Sequence, residues 1–163
     1  MDTSKLSRAE LAGVIAGLVL VLSLFIKWYS LGTGSDVVRP DDEAYWVCGV
    51  GNNSCSGFDT FPIMRWLLIA AAAAPLILSW IVLRGHQLTW PRGEVTAIVG
   101  LTAMVLIAYN GFIDKPSEKD IQISLSYGYF LGLFAAIGIF VAGALRALES
   151  GGGGARRKPP ATF

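Results

Sequence analysis

Charge is scarce in this chain of 163 residues: 15% are Asp, Glu, Lys or Arg, against roughly 25% in an average soluble domain. A water-soluble fold of this size needs far more polar surface, so much of the chain requires a solvent other than water. Basic and acidic residues nearly cancel, at 13 and 12, which removes the strongly basic face that nucleic-acid binding requires. The single histidine, His86, has no titratable partner near it in the sequence and reads as a solvated turn residue. No Ser/His/Asp order, HExxH, P-loop or GxGxxG occurs. No Asp, Glu or His stands at the centre of a long apolar run, where ion and proton pathways place them. The expectation is a non-enzymatic chain with no cofactor and no metal site.

What the chain has is apolar length. Four runs are long enough to cross about 30 Å of hydrocarbon as helices, at about 11–31, 61–83, 94–113 and 122–148. Lys27 lies near enough to the end of the first run to snorkel. Pro62 opens the second run, where a missing N–H costs little. The first run reads as a retained span and not as a signal peptide, since no small-x-small cleavage site follows it. These runs predict an all-α integral membrane protein, a four-transmembrane-helix bundle occupying residues 1–148. Residues 149–163, with four glycines and then Arg156-Arg157-Lys158, read as a flexible basic tail.

Orientation follows from the short connections. Lys5, Arg8, Arg84, Arg92, Arg146, Arg156, Arg157 and Lys158 fall on one side, and Arg39, Lys115 and Lys119 on the other. Basic residues accumulate on the cytoplasmic side, so both termini are expected there, in a bacterial plasma membrane. Segments 32–60 and 114–121 are then outside.

Loop 32–60 holds both cysteines, Cys48 and Cys55, separated by six residues rich in Gly, Asn and Ser. Outside the cytoplasm two such thiols are expected to close a disulfide; without a nearby histidine they make an incomplete zinc site. The run Asp41-Asp42-Glu43, with Asp36 and Asp59, reads as a solvated acidic surface.

Inside the spans, small residues permit close helix approach. Gly13 and Gly17 form one GxxxG and Gly128 and Gly132 another, serving packing within the chain or a dimer interface. Pro75 should kink the second span and free a carbonyl. Arg65, about one turn into that span, is expected to orient the outer loop by pairing with Asp59 or with the 41–43 acids; service to a substrate is the other reading.

The phrases SLFIKWYS (23–30), SGFDTF (56–61) and LSYGYFLGLFAAIG (125–138) resemble those of a group of uncharacterised small four-span membrane proteins of high-GC Gram-positive bacteria. That group brings no activity to carry over. In layout the chain is also distantly similar to claudin-like four-span proteins. Trp28 at the end of the first span, Trp46, Cys48 and Cys55 in the loop, and Arg65 at the start of the second span stand in the claudin-like order. The functional expectation is a structural or protein-interaction role through the outer loop, with the lipid bilayer, another membrane protein or a second copy as partner. A small transporter, channel or accessory subunit is the alternative.

Overall fold

The structure is a computed structural model and describes residues 7–31, 54–84, 92–114 and 123–152. Its elements, in chain order, are helix α1 (Arg8–Leu24), strand β1 (Lys27–Leu31), strand β2 (Ser54–Ser56), the short helix α2 (Gly57–Thr60), helix α3 (Met64–Leu83), helix α4 (Arg92–Phe112), strand β3 (Ile123–Leu125) and helix α5 (Tyr127–Gly152). Three helical stretches, Met64–Leu83, Gly93–Phe112 and Tyr127–Glu149, are long and apolar enough to cross a membrane. Helix α1 has 17 residues, which at 1.5 Å per residue is about 26 Å.

The four long helices run antiparallel to their neighbours. Ser7 starts α1 with a reciprocal capping box: its hydroxyl accepts from the Glu10 N–H at 3.3 Å, and the Glu10 carboxylate accepts from the Ser7 N–H at 3.0 Å. Gly17 packs against α3, where an added Cβ would stand 2.6 Å from the Ala72 carbonyl oxygen, and Gly13 lies against Ala142 of α5 and Pro75 of α3. Helices α4 and α5 approach most closely. Gly93 meets the backbone of Ala147, Gly100 that of Phe140, and Gly143 that of Ala97, each with no room for a side chain. Two backbones in such contact gain dispersion along their whole length, which is the term available to helices whose apolar side chains lipid solvates equally well.

The all-α reading is corrected by a three-stranded antiparallel sheet of order β2-β1-β3 at one end of the bundle. Tyr29 pairs with Cys55 on one side and Leu125 on the other, and Ser30 with Ser54 and Ser124. The first apolar run therefore stops being helical at Leu24 and does not continue to 31; the fourth is a strand before it is a helix. The reason is local. The Ser23 hydroxyl donates to the Leu20 carbonyl at 2.7 Å, and the Trp28 indole N–H donates to the Ser23 carbonyl at 2.8 Å. That turns the chain out of the helix, and the β-favouring KWYSL then satisfies its backbone across the sheet.

Between Lys27 and Tyr29 the register slips, with Trp28 as the extra residue. Successive strand residues ordinarily point to opposite faces. The bulge lets Trp28 and Tyr29 both turn inward, at 0% and 1% exposure. Trp28 meets Tyr129 edge-on at 5.8 Å and Phe61 at 6.5 Å between ring centroids. Below this layer the core continues through Leu20, Leu24, Leu68, Ala72, Ile107 and Ile139.

Candidate functional site

The sheet end is the better-built of two candidate regions. Three glycines make room for the Trp28 ring. A Cβ on Gly132 would lie 3.0 Å from the ring and 2.9 Å from the Ser23 hydroxyl; one on Gly128 would lie 2.6 Å from the Lys27 carbonyl oxygen; Gly57 faces the indole directly. All four glycines singled out in the sequence, Gly13, Gly17, Gly128 and Gly132, thus face other parts of the same chain. The Tyr29 hydroxyl donates to the Asn110 carbonyl and the Tyr129 hydroxyl to that of Ile107, each at 3.1 Å, so strand β1 and helix α5 both bond to the last turns of α4. Asn110 itself donates to the Leu106 carbonyl at 2.8 Å and to the Met64 sulfur at 3.2 Å, tying α4 to α3. Burial pushes the Tyr29 phenol well above its ordinary pKa, with Tyr129 and Asp114 adding in the same direction.

Arg65 lies beside this platform, and its pairing differs from expectation. No ion pair joins it to Asp59; the ion pairs among the described residues are those of Arg146. Asp59 instead accepts from the Ser56 hydroxyl at 2.6 Å, as part of the cap of α2. Arg65 Nη1 donates to the Phe58 carbonyl at 3.1 Å, and the guanidinium lies 4.6 Å from the Phe58 ring and 5.6 Å from that of Trp66. The reason is reach: Asp59 turns toward its own helix cap, while the Phe58 carbonyl at the end of α2 points back at α3. Arg65 thus fastens α2 to α3 through a carbonyl and an aromatic face. The 41–43 acids, Cys48 and His86 lie outside the described residues. Cys55 is buried in β2 and is not a free thiol.

The second region is at the far end of the bundle. Arg146 of α5 pairs with Glu10 of α1 at 3.0 Å, with side-chain exposures of 26% and 10%, and with Glu149 at 3.6 Å. Glu10 thereby serves its own helix cap with one oxygen and a neighbouring helix with the other. Beside the pair is a crevice of about 20 Å³ of water-accessible space, lined by Glu10, Gly13, Pro75, Ser79, Thr96 and Arg146, enough for about one water. Pro75, buried within α3, forms part of its wall and leaves the Ala71 carbonyl without a helical donor. Sequence reasoning missed Glu10. Its signal was the Ser7-x-x-Glu10 box at the start of the first apolar run. It also missed Gly93 and Gly100, whose spacing of seven on α4 is about two helical turns, and Gly143 on α5.

No group of three His, Cys, Asp or Glu residues able to hold a metal occurs among the described residues. Both arrangements can orient segments of chain. No protein family, no curated protein and no solved structure matches the chain.

Proposed function

We propose that the chain is a non-enzymatic four-span membrane protein that offers segment 32–53 for contact with another membrane protein or a second copy of itself. Its setting in this reading is a bacterial plasma membrane with both termini cytoplasmic and the sheet outside. Helix α1 is the fourth span; its exposed Leu11, Ile15, Leu18 and Leu22 support that assignment. The observation that carries the reading is the Ser30–Ser54 pairing of β1 with β2. It brings together the residues that flank segment 32–53 above a buried aromatic layer, and closing the two ends of a connection in advance lowers the entropy cost of binding through it. A Cys48–Cys55 disulfide is the second staple in this proposal, supported by the burial of Cys55.

The test places a photo-crosslinking residue at successive positions in 36–47 and compares crosslinks in native membranes with those of a chain whose 36–47 segment is a Gly-Ser linker of equal length. A discrete adduct, to a copy or to one other membrane protein, that vanishes with the linker is expected. Adducts to lipid alone at every position would end the interaction reading. Peptide mass spectrometry without reductant checks the disulfide; two free thiols would remove it.

A further inference from the structure

We infer that Arg65 is a binding site for the phosphate oxyanion of a phospholipid headgroup in the leaflet at the sheet end. The guanidinium lies beside the Phe58 and Trp66 rings, at 4.6 and 5.6 Å, and spends Nη1 on the Phe58 carbonyl. Its Nε–H is buried and has no hydrogen-bond partner among the described residues. No carboxylate among the described residues pairs with it.

A buried N–H without an acceptor and a cation without a counter-charge both call for an anion. The edge left over is the side-on fork of Nε and Nη2, which matches two oxygens of one phosphate; Nε, covered in this structure, takes its oxygen when the side chains over it shift. The surroundings name the source of that phosphate. Trp66 and Ile63 beside it are 60% and 76% exposed, and Phe25, stacked on Phe58 at 5.3 Å, is exposed as well. Exposed aromatic and aliphatic side chains around the first turn of an apolar helix belong at headgroup depth, where tryptophan concentrates. The same electrostatics favour an anion at this helix start, since α3 has no side-chain cap and no acid in its first turn.

The full chain, purified in a nonionic detergent, is titrated with dioleoyl-phosphatidylglycerol and read by native mass spectrometry. One bound phosphatidylglycerol is expected at low lipid, with occupancy falling about tenfold in Arg65→Gln, as loss of a charge-assisted bidentate contact implies. Arg65→Lys keeps a charge without the fork, and Trp66→Leu keeps the fork without one wall. Each is expected to lie between wild type and Arg65→Gln, and together they carry the test if Arg65→Gln does not fold. Equal occupancy in all four proteins overturns the assignment. So does full displacement of the lipid by millimolar inorganic phosphate, which would make free phosphate the ligand. A rise in lipid occupancy when Asp41, Asp42 and Glu43 are neutralised together also overturns it, since the loop's own acids would then be the occupant.

Discussion

The indole N–H of Trp28 donates to the carbonyl of Ser23 at 2.8 Å, across the residues where helix α1 ends and strand β1 begins. A carbonyl at a helix C-terminus needs donors, and here the Ile26 N–H at 3.2 Å is joined by the residue that the bulge turns inward. One side chain therefore ends the helix, fills the core beneath the sheet and sets the direction of the strand.

Replacing Trp28 by Phe keeps most of the ring and removes the donor. A loss of about 1–2 kcal/mol of stability is expected from the lost indole hydrogen bond and the smaller ring, with the Ile26 N–H still bonded to the Ser23 carbonyl. Gly132→Ala is expected to destabilise by about 1–3 kcal/mol through overpacking of the same slot. Thermal unfolding in detergent, followed by near-ultraviolet circular dichroism, measures both. Wild-type behaviour of Gly132→Ala would show that the slot has slack.

The contact of α4 with α5 is expected to tolerate a methyl group poorly. Gly100→Ala and Gly143→Ala each place a Cβ against opposing backbone, which cannot rotate away as a side chain can. Each should weaken the helix pair by about 1–3 kcal/mol, whereas an alanine at the exposed Thr102 of the same helix should change stability by less than about 0.5 kcal/mol. Equal effects at Gly100 and Thr102 would contradict the packing account.

Glu10 and Arg146 join the first long helix to the last. A double-mutant cycle with Glu10→Gln and Arg146→Gln is expected to return a coupling of about 1 kcal/mol, above the median for exposed pairs because Glu10 is largely covered. Additive single losses would mean that the pair is placed together by packing and contributes nothing of its own.

Tyr29 gives the fold a dependence on alkaline pH. Its phenol is raised above the ordinary value of about 10 by burial first, so the folded chain holds the proton more tightly than the unfolded chain. That stabilisation is complete below the unfolded pKa and is lost as pH rises through the interval up to the folded one. Stability should fall above about pH 10 and do so less steeply in Tyr29→Phe, which also lacks the bond to the Asn110 carbonyl. Ultraviolet titration of tyrosinate alongside unfolding checks this; identical alkaline slopes in the two proteins would refute it.

The long helices were legible because apolar length is a property of composition alone. Runs 61–83 and 94–113 differ from α3 and α4 by three residues or fewer at each end, chiefly where Pro62 and Ile63 form a turn. The sheet was not legible. Its strands are short, and KWYSL and ISL are apolar enough to read as the ends of adjacent spans when hydropathy is the only measure. A strand of three residues has almost no pattern of its own and exists here because β1 offers it a ladder. Arg65 was recognisable as an unusual charge, but its partner was misjudged, since proximity in sequence favoured Asp59 and a backbone carbonyl has no sequence signature. Glu10 was passed over as a polar residue ahead of an apolar run, and its pairing with Arg146 on the last helix has no sequence signature.

Strand β1 is the middle strand, with β2 on one edge and β3 on the other. During synthesis β1 emerges early, whereas the residue that bonds the Ser30 carbonyl from the far edge is Ser124, 94 positions later. One edge of β1 therefore stays open while α3 and α4 are made and inserted, and it closes only when the segment leading into α5 arrives. The sheet cannot be completed until residues 123–125 are made, after three of the four long helices. A chain truncated before residue 123 would carry an unpaired strand edge, the kind of surface that recruits other strands.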